Sequence, residues 1–161
     1  MNGTTAILEL EQAHADCSCV IVSQISQPTT TELDKDGCKI AVENLIIAFD
    51  CDLCGAFSEN DTRPDIISIW RCKEKNEWLV LEMKTTMRLH AADQARAALE
   101  RLGRDLRFQV HLDHADVVFV IGRRRRADNT LMRKIGTITL HGWQIVPRLL
   151  PSGGTVKCHR N

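Results

Sequence analysis

The sequence predicts an α/β fold, a mixed β-sheet with flanking helices. Three observations carry that expectation. Residues 63–86, "RPDIISIWRCKEKNEWLVLEMKTT", hold two apolar runs about a charged centre, the pattern of a β-hairpin. An Ala-rich stretch with helical spacing comes next. Then "ADVVFVIG" forms an unbroken apolar run of the kind found in strands covered on both faces. A strand–helix–strand succession demands a crossover, so part of the sheet should be parallel while the hairpin is antiparallel.

Length and composition suit one globular domain: 161 residues, 43% hydrophobic and 26% charged. We read a single domain over 1–161, with its core over about 38–150 and an N-terminal extension over 1–37. The 21 basic side chains balance 21 acidic ones, so attraction to a polyanion must come from local clustering. No run approaches the roughly 18 apolar residues of a membrane span. The opening "MNGTTAILELEQAHADC" lacks the layout of a signal peptide. A soluble, cytoplasmic protein is expected.

Taken in order, "AILELEQAHA" reads as a short helix and "CVIVSQI" as a strand. "QPTTTELDKDG" is turn-rich and reads as a loop. "KIAVENLIIAFDCDL" is apolar enough to be buried, but its periodicity separates neither helix nor strand, and "SENDTRP" breaks the chain. "DIISIW" and "WLVLEMK" are strands joined through "RCKEKNE". Leu89, Ala92, Ala95, Leu99, Leu102 and Leu106 recur at helical spacing. "NTLMRKIG" reads as a short helix with Asn129 as its N-cap and Gly136 as its stop. "GWQIVPRLL" is a last strand that Pro147 confines to an edge or end, and "PSGGTVKCHRN" should fray.

The hairpin carries the chemistry. Pairing its strands about Lys73–Glu74 sets Asp65 opposite Glu82. Side chains alternate along a strand, so Trp78, Val80, Glu82 and Lys84 share one face and Leu79, Leu81 and Met83 the other. Two carboxylates at the ends of adjacent strands make a hard-oxygen site for Mg²⁺ or Mn²⁺. A lysine on the same face tempers their repulsion and steadies charge developing on a phosphate. Together the groups suit phosphodiester hydrolysis. The plainer interpretation is a cross-strand salt bridge, with Asp65 closing a turn after Pro64.

Pro64–Asp65 followed by Glu82-Met83-Lys84 resembles the signature of the PD-(D/E)XK nuclease superfamily, whose core is called restriction-endonuclease-like. The resemblance spans about residues 38–122 and implies a core of helix, three-strand meander, helix and strand. It implies that Asp65 and Glu82 bind the divalent metal and that Lys84 is the catalytic lysine. Members carry a Gln or an acid in the helix after the lysine, which Gln94 matches as a candidate substrate contact. They also carry a Glu on the first core helix, for which Glu43 is the metal-ligand candidate and Glu9 or Glu11 the alternatives.

Arg123, Arg124, Arg125 and Arg126 follow the buried strand and suit a phosphate clamp, to which Arg63, Lys73, Lys75 and Arg88 would add. "HLDHAD" holds His111, Asp113, His114 and Asp116 without a completing ligand set, and reads as a polar connector. Seven cysteines in a chain without an export signal argue against a disulfide framework. Cys17-x-Cys19 and Cys51-x-x-Cys54 offer one favoured metal spacing only, so the cysteines are expected to be small buried hydrophobes. The resulting expectation is a divalent-metal-dependent endonuclease acting on DNA, though these groups do not themselves separate DNA from RNA. Cutting both strands would take a homodimer or a partner. The rivals are a non-catalytic nucleic-acid-binding or assembly module with the same fold, and a cysteine-based metal module around Cys51 and Cys54.

Overall fold

The computed structural model describes residues 3–15, 18–54, 63–102, 110 and 112–158. The chain opens with helix α1 (Gly3–Ala13) and strands β1 (Val20–Ser23) and β2 (Thr29–Lys35). A long strand β3 (Cys38–Asp50) leads into β4 (Ile66–Cys72) and β5 (Lys75–Lys84). Helix α2 (Leu89–Arg101) crosses over to β6 (Ala115–Ile121), which is followed by helix α3 (Ala127–Ile135). The remaining strands are β7 (Ile138–Leu140), β8 (Trp143–Ile145), β9 (Arg148–Pro151) and β10 (Thr155–Val156).

The main sheet runs β1-β3-β4-β5-β6-β9, with β2 and β10 also paired to β3. β3, β4 and β5 form an antiparallel meander, whereas β5, β6 and β9 are parallel. The mixed α/β sheet follows the sequence reading. In the hairpin Ile66 faces Leu81 and Cys72 faces Lys75, about a two-residue turn at Lys73 and Glu74, both at positive φ. That register places Asp65 across from Glu82, as expected.

Alternation along β5 divides the core. Trp78 and Val80 face a cluster with α1, α2, α3 and the β7–β8 ribbon, through Ile7, Leu10, Ala91, Ala95, Ala98, Leu99 and Ile138. Leu79, Leu81 and Met83 face a second cluster, built from Leu33, Ile40, Val42, Trp70, Val118 and Val156. A bulge allows one sheet to supply both sides of this second cluster. The register of β3 slips between Val42 and Leu45, where Asn44 sits at φ +49°, and a bulge bends its strand.

Several elements differ from expectation. "TTTELDK" within the supposed loop is β2, an edge strand in which Leu33 alone is buried. The undecided stretch after it is a strand, β3, because it lies between partners on both edges. Ala95, Leu99 and Leu102 of the expected stripe are buried and Ala92 packs against the core, Ala91 and Ala98 join them on the inward face, and Leu89 is exposed. Leu106 lies outside the described residues. α3 begins at Ala127, so Asn129 sits inside its first turn and does not cap it. The Asp128 carboxylate accepts the Arg125 N–H at 2.6 Å and closes the turn there. Pro147 splits the last expected strand into β8 and β9.

The C-terminal tail is tied down through Val156. Thr155 and Val156 pair with Ala41 and Val42, and the pairing carries Cys158 to the end of β4. There Cys158 is disulfide-bonded to Cys72 with Cα atoms 5.3 Å apart, against the expectation of reduced thiols throughout. Among the described residues no helix is long and apolar enough to cross a membrane.

Candidate active site

Pro64 and Asp65 directly precede β4, and β5 ends at Lys84. Asp65 is held from three sides. Its carbonyl accepts the Cys51 N–H at 3.1 Å, its Oδ2 accepts the Met83 N–H at 2.7 Å, and the Lys84 Nζ stands 3.5 Å from that oxygen. The bond from Met83 replaces the ladder pairing that ends at Ile66, so the backbone of β5 aims the Asp65 carboxylate towards Glu82.

Glu82 is fully buried, and among the described residues neither carboxylate oxygen has a hydrogen bond of good geometry, although the backbone and carboxylate of Asp65 lie against it. Lys84 Nζ is 3.7 Å away, an ion pair without a hydrogen bond. Burial first, and the Asp65 carboxylate second, push the Glu82 carboxyl well above its ordinary range, against the opposing pull of Lys84. A buried acid packed against a second acid fits a cation. Asp65 and Glu82 offer hard oxygens for Mg²⁺ or Mn²⁺, the class such ions prefer.

Lys84, Thr85, Thr86, Arg88, His90, Ala91 and Gln94 line a surface cleft of about 330 Å³. Gln94 donates through Nε2 to the Arg63 carbonyl at 3.1 Å, which ties α2 to the segment entering β4. The arginine loop adjoins the same strand end, because β6 runs parallel to β5 with Ile121 beside Lys84. Gly122 and Arg123 donate their N–H groups to the Lys84 and Thr85 carbonyls. Arg125 is committed to structure, with Nη2 on the Met87 carbonyl at 2.7 Å and Nε beside Asp128, and Arg124 reaches Asn129. Arg123 and Arg126 are exposed.

The remaining candidates lie elsewhere. Glu43 sits by the bulge of β3, seven residues from Asp50 at the site end, about 23 Å along an extended strand. The resemblance implies a glutamate on the first core helix, and the segment that holds Glu43 is a strand. The first helix is α1, where Glu9 is exposed and Glu11 accepts the Ser23 hydroxyl at 3.0 Å. Lys73 and Lys75 lie at the turn, the far end of β5, about 30 Å from Lys84 along the strand. His111 lies outside the described residues. Its neighbours act as a connector, with the His114 carbonyl accepting the Trp78 N–H and Asp116 3.7 Å from Arg148.

Sequence reasoning missed an ionic brace behind Asp65. Lys35 Nζ donates to Asp50 at 2.7 Å and to the Asp65 carbonyl at 3.1 Å, and stands 2.8 Å from Asp52. Arg63 completes it with a 2.9 Å contact to Asp52. Burial opposes the Lys35 charge, but the hydrogen bonds to Asp50 and Asp52 outweigh it and raise its pKa. The same bond from Lys35 is the chief cause of a lowered pKa at Asp52. The visible signal was "AFDCDL", two acids after a buried run, but their partner comes from a segment read as loop. Compared with family models, curated proteins and solved structures, the chain matches none.

Proposed function

We propose that this protein is a divalent-metal-dependent nuclease that hydrolyses phosphodiester bonds, with DNA as its substrate. The observation that carries the reading is the convergence of Asp65, Glu82 and Lys84 at one strand end, with Lys84 3.5 and 3.7 Å from the two carboxylates. The antiparallel meander, crossover helix and parallel strand around it agree with the restriction-endonuclease-like core that the Pro64–Asp65 and Glu82-Met83-Lys84 motif implies.

Asp65 and Glu82 would hold the ion, whose chemistry when bound is to polarise a phosphoryl oxygen and acidify a water. Lys84 opens onto the cleft with its side chain 32% exposed, where its ammonium meets charge developing on phosphate. Met83 N–H holds Asp65 in place, and the Lys35 brace fixes the backbone behind it. Arg88 in the cleft wall, with Arg123 and Arg126 on the adjoining loop, supplies cations along the path of a nucleic-acid backbone.

The test is cleavage of DNA and of RNA with Mg²⁺, with Mn²⁺ and with chelator. Wild-type protein should cut in the presence of metal only. Lys84→Ala should lose cleavage while its circular dichroism and melting remain those of a folded protein. Full residual activity in Lys84→Ala sinks the assignment. Absence of cleavage, together with no thermal shift on Mn²⁺ addition, makes the carboxylates structural and the fold a non-catalytic binding or assembly module.

A further inference from the structure

A second cluster of ligating side chains lies apart from the carboxylates. His14 follows α1, Cys19 precedes β1, and Cys54 ends the turn after β3. All three are buried, and one ligand atom from each lies within 4.8 Å of the other two. We propose that His14, Cys19 and Cys54 bind a zinc ion. A tetrahedral zinc with Zn–S near 2.3 Å and Zn–N near 2.0 Å sets its ligand atoms about 3.5–3.8 Å apart. The three groups therefore need to close by about 1.3 Å at most, within reach of side-chain adjustment.

The imidazole is already in the form that coordinates. Its Nδ1 lies 3.0 Å from the Leu10 carbonyl, which can only accept, so Nδ1 bears the proton and Nε2 carries the lone pair. The Phe49 ring, 4.7 Å from the imidazole centroid, restrains its tilt. Two thiolates and one imidazole select zinc over Mg²⁺, because soft sulfur ligands suit it. Two thiolates also neutralise the dication, and binding releases the thiol protons. His14 additionally lines a cleft of about 550 Å³ with Glu11, Ser18 and Val20, which brings the cleft up to one of the three ligands.

The site would join two segments distant in sequence, the one between α1 and β1 that carries His14 and Cys19 and the turn after β3 that carries Cys54. The Cys19 carbonyl accepts the Asp50 N–H at 2.8 Å, the Cys54 N–H bonds the Cys51 carbonyl, and the Cys51 N–H bonds Asp65. Zinc therefore braces the turn that buttresses the carboxylate site, but its binding does not rest on nuclease activity.

Elemental analysis of protein expressed with zinc should find one equivalent per chain after dialysis. His14→Gln, Cys19→Ser and Cys54→Ser should each lose it. Cys38→Ser, a buried thiol outside the cluster, and Asp65→Ala should retain it. Wild-type protein supplies the check should the cluster variants unfold. Zinc at one hundred times its Kd should slow alkylation of Cys19 and Cys54 about a hundredfold relative to metal-stripped protein, with Cys38 unchanged. Retention of zinc by folded His14→Gln and Cys54→Ser overturns the proposal, as do alkylation rates indifferent to zinc. A Cys19–Cys54 disulfide in protein kept under reductant would assign the pair to redox chemistry instead.

Discussion

Replacing Glu82 by Gln separates a metal ligand from a structural acid. The side chain is fully buried against Asp65, and among the described residues its oxygens have no hydrogen bond of good geometry. Burial and the Asp65 carboxylate hold its pKa well above the ordinary value, with the attraction of Lys84 already included. An acid whose folded pKa is raised loses stability as pH climbs from its unfolded pKa through its folded one. At pH 7 the loss is capped by the alternative of keeping the proton, about 3.7 kcal/mol for an unfolded pKa near 4.3. Glutamine keeps the volume and removes the charge, so Glu82→Gln should stabilise the metal-free protein by about 1–3 kcal/mol at pH 7. In a domain of this size that raises Tm by roughly 3–10 °C. The gain should fade towards pH 4, where wild-type Glu82 is protonated in both states. With Mn²⁺ the gap closes or reverses: wild type gains about 2.7 kcal/mol at one hundred times Kd, and the variant gains nothing. Thermal unfolding followed by circular dichroism at acid and neutral pH, with and without Mn²⁺, reads all four corners. A destabilised variant alongside a wild type indifferent to Mn²⁺ refutes the reasoning, since Glu82 would then be serving the fold.

Lys35→Met should destabilise by about 2–4 kcal/mol in denaturant titration, because it leaves Asp50 and Asp52 without their shared cation. The stabilisation from Lys35 is present below its ordinary pKa of 10.5 and lost as pH rises through its higher folded value, so the gap between variant and wild type should narrow in strong alkali. A gap that stays constant there would show that packing, and not charge, sets it. Reducing Cys72–Cys158, which closes a separation of 86 residues, should lower stability by about 2–5 kcal/mol, and an unchanged Tm under reductant argues against the bond. Arg123→Ala with Arg126→Ala should make the salt dependence of DNA affinity shallower, by a log–log slope of about 2, since each phosphate contact contributes about 0.9. A slope that does not move places the arginine loop off the nucleic-acid path.

The parts that the sequence made legible share a local cause. The two strands of the β4–β5 hairpin are strongly apolar and joined by a short charged turn, so one centre fixes every pair from Ile66–Leu81 to Cys72–Lys75. Asp65, Glu82 and Lys84 inherit their positions from that register and from alternation. Illegible features depend on partners far along the chain. β2 is polar because it is an edge strand, and only its pairing with β3 distinguishes it from loop. β10 is two residues long and exists because Ala41 and Val42 offer it an edge. β3 is apolar on both faces, a pattern shared by buried helices and buried strands, so periodicity leaves the stretch undecided, and Glu43 matches the resemblance's helix position only if the stretch is a helix. The cysteine spacings suggested two local pairs, whereas the fold takes Cys19 from one motif, Cys54 from the other, and His14 from the end of a helix.

Topology explains why the predicted groups meet others that local pattern missed. Parallel strands present their carboxyl ends on the same edge, and ligands of open α/β sheets bind there. β5 and β6 end side by side at Lys84 and Ile121, so the cleft loop after β5 and the arginine loop after β6 leave from one edge. β4 is antiparallel to β5 and so begins at that edge, bringing Asp65. β3 is antiparallel to β4 and ends there, bringing Asp50 and the Cys51–Cys54 turn. A one-residue slip of β4 against β5 would turn its whole inward set to the other face and take Asp65 away from Glu82. The apolar alternation that buries Ile67 and Ile69 on one side and Ile66 and Trp70 on the other therefore also holds the two carboxylates together.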